Sequence, residues 1–223
     1  MLDHFETHRK SNRLLDVGCG IGLFLEMAKE RSWEVYGTEF SDRAVAICAE
    51  KGISMQQGPL DSRNYEPGTF DVVTSFEVIE HLNNPVQVVG NMAAILQPKG
   101  LLYLTTPNFN SLSRDVLKQE WNVIGYPEHL AYYTPSTMKS LLKRQGFSHI
   151  SIRTTGWSLT RFRTSRKLSA QPFVSAKSDD AKLRTVPEGN RIIRTGKQLV
   201  NSLLTWAGKG DTLKVFARKP HNS

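Results

Sequence analysis

Cysteine is scarce: the 223 residues include only Cys19 and Cys48. Two cysteines cannot build a disulfide framework or an all-cysteine zinc site, and a reducing, cytoplasmic setting is the simplest expectation. Long apolar runs are missing as well. No stretch of about 18 apolar residues occurs, so no membrane-spanning helix is expected. The opening residues, MLDHFETHRKSNR, lack an apolar core behind their charges and do not read as a secretory signal. No internal repeat is visible. Acidic residues become rare late in the chain. Residues 1–149 carry 14 Lys and Arg against 17 Asp and Glu, a net of −3, whereas residues 150–223 carry 15 against 4, a net of +11. The overall charge of +8 therefore belongs to the last third. Such an asymmetry fits an anionic partner (nucleic acid, acidic lipid or a phosphorylated substrate) as well as a plain solvated face.

What is present is a regular alternation. RLLDV (13–17), WEVYGTE (33–39), ISMQQG (53–58), FDVVTSF (70–76) and LLYLTTP (101–107) read as strands. Between them, GLFLEMAKE (22–30), SDRAVAICAEKG (41–52) and Pro85–Leu96 read as helices. Ser41 is placed as an N-cap, Gly52 as a C-terminal stop and Pro85 in a first helical turn. Thr134 caps a further helix that Gly146 ends, and ISIRTT (150–155) and TLKVFAR (212–218) alternate as half-buried strands do. Strands separated by helices predict an α/β fold, a doubly wound and mostly parallel sheet with helices on both faces. The last two strands stand about sixty residues apart, far beyond an ordinary connection. A basic, partly helical insert is expected at 156–211 within a single domain, with its helix running from about Pro187 to Ala207.

The stretch LLDVGCGIGLFLEMA (14–28) sends a strand into a glycine turn and then a helix. That geometry points backbone N–H groups at an anionic or strongly accepting ligand. Gly18, Gly20 and Gly22 are spaced G-x-G-x-G, a departure from the dinucleotide pattern G-x-G-x-x-G. Glu39, at the end of the second strand, suits a ribose diol in either cofactor class. Asp16, just before the turn, would repel a diphosphate and suits an amino group; capping the turn's own backbone is its other role.

Taken together, LLDVGCGIGLFL, Glu39, FDVVTSFEVIEHL and LLYLTTP resemble class I S-adenosylmethionine-dependent methyltransferases over roughly residues 13–155. EVIEHL followed by NNP, with PNFNS and PEHLAYYTPSTMKSLLKRQGF downstream, is similar to the ubiquinone-biosynthesis O-methyltransferase-like group of small-molecule enzymes. The resemblance implies a seven-stranded sheet with an antiparallel last strand, and S-adenosyl-L-methionine as cofactor. It implies that the backbone around Gly18, Cys19, Gly20 and Gly22 cradles the methionine part and that Asp16 meets its amino group, directly or through water. Glu39 would hold the ribose and Phe40 flank the adenine. Leu60 and Asp61 would face the adenine, although Pro59 stands where the family often has an acidic residue. Ser75 and Phe76 would line the methyl end.

Three residues are catalytic candidates. Glu77, Glu80 and His81 form E-x-x-E-H, which on a helix would share one face. They could bind a divalent metal, a role implicated for the matching motif in some relatives, or form an ordinary hydrogen-bonded cluster; no metal ligand is assigned. Glu80 and His81 therefore join His129 as candidates, His129 lying in WNVIGYPEHLAYY (121–133), a segment expected to cross over the cofactor. Each histidine could act as a base or pin the loop through a main-chain carbonyl. Trp121, Tyr126, Tyr132 and Tyr133 suit a flat pocket wall or a local core. Arg161, Arg163, Arg166 and Lys167, interleaved with Leu159, Phe162 and Leu168, suit a substrate lid or peripheral contact with an anionic membrane.

These readings predict methyl transfer to a small-molecule or lipid-linked acceptor, at oxygen. The alternatives are a nucleic-acid methyltransferase, for which no recognition module is visible; a nicotinamide-dependent oxidoreductase, disfavoured by the glycine spacing and Asp16; and an inactive cofactor-binding module. The last draws on the short segment before the first strand, since relatives carry extra N-terminal helices. Oligomeric state is not legible.

Overall fold

The computed structural model describes residues 1–121, 123–156 and 202–221. A short helix α1 (Leu2–Glu6) precedes strand β1 (Arg13–Val17), helix α2 (Leu23–Glu30), β2 (Glu34–Glu39), α3 (Asp42–Glu50) and β3 (Ser54–Gln57). Then follow β4 (Phe70–Phe76), α4 (Pro85–Ile95), β5 (Leu96–Pro107), α5 (Leu112–Leu117), α6 (Pro135–Arg144), β6 (Ser148–Thr155) and β7 (Thr212–Arg218). The sheet order is β3-β2-β1-β4-β5-β7-β6. The first five strands are parallel, and β7 lies antiparallel between β5 and β6. This is the doubly wound architecture the alternation predicts.

Alternation along each strand feeds two apolar layers. Leu15, Val73 and Leu102 join Met92, Ile95, Met138 and Leu142 on one face. Their neighbours Leu14, Val72 and Leu101 join Phe5, Leu25, Ala28 and Trp33 on the other. Both members of each pair are buried, which is why these strands read as continuous apolar runs.

The caps behave as their chemistry requires. Ser41 accepts from Ala44 N at the start of α3, and Thr134 forms a reciprocal capping box with Thr137 on α6. The buried Asp71 carboxylate clamps the chain ahead of β1 by accepting from the N–H groups of Lys10, Ser11 and Asn12 at 2.9, 3.0 and 2.6 Å.

Two boundaries differ from the pattern reading. Strand β5 begins at Leu96, opposite Phe70, and resumes pairing at Leu101 after a register shift. Gly100 makes this possible, because a Cβ there would lie 2.8 Å from the Gln97 carbonyl oxygen. The stretch 77–81 is not a helix with one shared face. Glu77 sits at φ 53° and only Ile79–His81 form a single tight 3-10 turn, so the E-x-x-E-H residues are not stacked at helical spacing. Of the expected 156–211 insert, residues 157–201 lie outside the described residues, with Arg161, Arg163, Arg166, Lys167 and most of the 187–207 helix; residues 202–206 are helical.

Candidate functional site

The sheet order reverses between β1 and β4, which send their connections to opposite sides, and ligands of such sheets bind beyond the strand ends at that point. A cleft of ≈ 360 Å³ opens there. Val17, Gly18, Thr38 and Glu39 form its inner end; Phe40, Leu60, Leu82 and Val88 supply apolar wall, and His81 stands at its edge. A cleft of this size with an apolar wall and one carboxylate suits a nucleoside.

The glycine turn is shaped by its neighbours. Gly18, Gly20 and Gly22 all have positive φ, a conformation that favours glycine. At Gly18 a Cβ would fall 2.6 Å from Val78 Cγ2, and at Gly22 it would fall 2.6 Å from Ile53 Cδ1, whereas at Gly20 it would meet nothing within 4 Å. Gly18 and Gly22 are therefore packing positions as well as turn positions, and Gly20 leaves open space. Cys19 contributes backbone to the turn, its N–H donating to Thr38 O at 3.0 Å. Its thiol faces β2, where any side chain at Gly37 would strike it. Burial first, then the Cys48 thiol, pushes the Cys19 thiol pKa upward, so it is a poor nucleophile.

Glu39 ends β2 with its carboxylate turned onto backbone. It accepts from Gly20 N at 3.0 Å, Phe40 N at 2.8 Å and Ser41 N at 3.2 Å. It therefore holds the glycine turn in register while lining the cleft. Asp16 lies beneath the turn, 2% exposed, and is not among the residues lining the cleft. Its Oδ1 accepts from the Thr74 hydroxyl at 2.7 Å. Burial drives its pKa up to about 7, with the Glu39 charge adding and the Thr74 hydrogen bond opposing.

Besides Asp16, the expected cofactor contacts Asp61, Ser75 and Phe76 also lie outside the cleft lining. Asp61 is not among the cleft residues: it caps a 3-10 turn and pairs with Arg63 at 2.7 Å, which holds its pKa down at about 2. The Ser75 hydroxyl is buried and donates to Val17 O at 3.3 Å, tying β4 to β1. Phe76 packs edge-on against Phe24 at 4.9 Å, in the apolar layer under α2. Strand alternation accounts for both, since the two side chains leave the strand on faces already filled. Val78 and Val88, which sequence reasoning missed, line the cleft instead. Their only sequence signal is position, just after β4 and in the first turn of α4.

The catalytic candidates do converge. His81 and His129 meet edge to face with ring centroids 4.7 Å apart. Glu80, His81 and His129 each offer a ligand atom within 4.8 Å of the others, so the metal-capable trio replaces Glu77 with His129. His129 Nδ1 lies 2.6 Å from Val123 O, and His81 Nδ1 lies 2.6 Å from Glu128 O. A carbonyl only accepts, so each Nδ1 carries a proton, and in the neutral ring Nε2 is the atom with the lone pair. Glu80 is 2% exposed. Its carboxylate accepts from Thr106 Oγ1 at 2.9 Å, and its carbonyl accepts from the N–H groups of Leu130 and Ala131. Burial raises its pKa to about 7. The turn after β4 thus ties down Glu128, Leu130 and Ala131. Trp121 and Tyr133 are buried core and Tyr126 is exposed, so these three do not form one flat wall.

Residues 2–152 match the family described as "Methyltransferase domain". The chain belongs to this methyltransferase family. A ubiquinone biosynthesis O-methyltransferase from Burkholderia orbicola is 31% identical over 136 residues, 58% of this chain and 56% of that protein. The chain thus matches only about half the length of its curated relatives. A SAM-dependent methyltransferase from Archaeoglobus fulgidus superposes with a TM-score of 0.64 at 21% identity, covering 98% of this chain and 91% of that one. Phosphoethanolamine N-methyltransferase 2 of Haemonchus contortus, solved with S-adenosyl-L-methionine, gives 0.59 at 19% identity over 98% and 51%. The fold is that of S-adenosylmethionine-dependent methyltransferases, and family and fold together assign S-adenosylmethionine as the cofactor. The methyltransferase cleft fits it: open space over Gly20, a carboxylate at the tip of β2 and an apolar wall at Leu60 and Val88. Among the described residues, no helix is long and apolar enough to cross a membrane.

Proposed function

We propose that this methyltransferase moves a methyl group to the oxygen of a small-molecule acceptor. The observation that carries the reading is the His81–His129 pair. One ring lines the cofactor cleft, the other touches it, and both have Nδ1 committed to carbonyls, so that Nε2 is the basic atom. Oxygen nucleophiles must lose a proton during transfer, and an imidazole lone pair at the mouth of the cleft is suited to take it. Glu39 would hold the ribose diol, the backbone at Gly18 and Gly20 the methionine part, and Asp16 the amino group from below. Leu60, Val88 and Phe40 would enclose the adenine. S-adenosylmethionine supplies, when bound, a methyl group already made electrophilic by its sulfonium. The protein's remaining task is to orient the acceptor and receive its proton.

The likeness to ubiquinone-biosynthesis enzymes favours a hydroxylated ring as acceptor, and an acceptor carried on a lipid belongs to the same proposal. Assays against catechols and amines, with His129→Gln beside the wild type, test it. Turnover of the catechol falls by about 10²–10⁴-fold in the variant, with S-adenosylhomocysteine affinity unchanged. Unaltered turnover, or transfer to amines alone, contradicts it. A second reading rests on the spacing of Glu80, His81 and His129: a divalent cation there would lower the pKa of the acceptor hydroxyl. Activity that disappears on chelation and returns with added cation favours that reading over a free imidazole base.

A further inference from the structure

A second cleft, of ≈ 550 Å³, lies on the face of the sheet built by β6 and β7. It is lined by Arg153, Arg218, His4 and His149, over an apolar floor from Phe216 and Leu101. Among the described residues no carboxylate lines it. The acidic groups of the adjoining helix α1 are engaged elsewhere, Asp3 with Arg31 and Glu6 with Arg9. Strand register sharpens the anomaly. Arg153 stands directly opposite Lys214, and both are exposed. Like charges directly opposite in a ladder are destabilising. Lys214 and Arg218 lie four residues apart on β7, so positive charge runs for about 13 Å along the strand. The ladder also shifts register between Ser148 and Ser151, and His149 in that bulge adopts φ 48°, a device that re-aims a side chain. The field is felt nearby. Burial first, then the positive charge of Arg218, holds the His8 imidazole below its ordinary pKa.

We infer that this cleft binds a phosphorylated small molecule, with the phosphate on the guanidinium groups of Arg153 and Arg218 and the organic part over Phe216. A guanidinium matches phosphate oxygens in fork geometry, and a phosphate dianion would balance the charges of both Arg153 and Arg218, which a single carboxylate would not. The volume is that of a small-molecule site, and the floor offers an aromatic ring to an organic group. Nothing in this inference rests on the methyl-transfer chemistry, because the cleft lies apart from Glu39 and the glycine turn.

Calorimetry on the full chain at low ionic strength tests it, with phenyl phosphate and inorganic phosphate as probes and the double variant Arg153→Gln/Arg218→Gln for comparison. Phenyl phosphate binds the wild type more tightly than inorganic phosphate does, and the double variant loses about tenfold or more of that affinity. S-adenosylhomocysteine affinity is the same in both proteins, which confirms that the variant is folded. Absence of phenyl phosphate binding, or equal binding by the variant, overturns the inference. Equal affinity for the two probes overturns the role of Phe216. Sedimentation with phosphatidylserine vesicles that depends on Arg153 and Arg218, without phenyl phosphate binding, replaces the small molecule with a membrane surface.

Discussion

Asp16 shows what a single buried carboxyl can report. Its folded-state pKa, about 7, lies above the ordinary 3.8 because burial disfavours the charged form. The folded chain therefore keeps a proton that the unfolded chain gives up. The stability this group contributes is fully present below about pH 4 and is lost as pH rises through 7. The ammonium of S-adenosylhomocysteine placed against it would favour the ionised form. Titration at about pH 6 is then expected to release up to one proton, seen as a binding enthalpy that depends on the buffer's ionisation heat. Asp16→Asn removes that dependence, and an enthalpy independent of buffer in the wild type argues against the contact. Such residue-level detail was only partly legible. Glu39 stands at a strand end, so its place over the cleft followed from pattern. Asp61 follows β3, and Ser75 and Phe76 close β4, yet the first is drawn away by Arg63 and the others by the pleat. Position along a strand is written in periodicity; which face still has room is decided by distant neighbours.

Elements carry the site by packing one turn against another. The glycine turn rests on Val78 of the turn after β4, and that same turn carries Glu80 and His81. Gly18→Ala is expected to cost about 1–3 kcal/mol and to weaken cofactor binding, since it combines positive φ with a side-chain collision. Gly20→Ala, with strain but open space, costs less. The difference between their urea midpoints reads the Val78 contact, and Val78→Ala in the Gly18→Ala background should recover that part alone. Equal costs at the two glycines would show that Val78 does not constrain the turn. The elements themselves were largely legible: strands 13–17, 70–76 and 212–218 coincide with the pattern reading. The backbone at 77–81 was not, because i, i+3 and i+4 spacing cannot reveal that Glu77 takes a positive φ. The third partner of Glu80 and His81 is His129, forty-eight residues beyond His81, a proximity that local pattern does not encode.

At the scale of the molecule, the parallel sheet is held at its opposite end by Asp71, which gathers three backbone N–H groups ahead of β1. Replacing it with alanine leaves these part-buried donors without the carboxylate and is expected to lower unfolding free energy by about 1–3 kcal/mol in urea, with cofactor affinity at the far end retained. A loss of affinity without loss of stability would contradict that division of labour. Binding at one end of the sheet and anchoring at the other is what a doubly wound fold permits. Of the basic last third, Arg153, Lys214 and Arg218 gather on the β6–β7 face, while ten of its fifteen cationic residues lie outside the described residues.

The central claim is that the cleft beyond β1 and β2 holds S-adenosylmethionine through Glu39. Calorimetry with S-adenosylhomocysteine and with NAD, on the wild type and on Glu39→Ala, tests it most directly. The account predicts binding of the first compound and not the second, weakened at least about tenfold by the substitution while circular dichroism is unchanged. Equal affinity in the variant, or binding of NAD in place of the nucleoside, would contradict it.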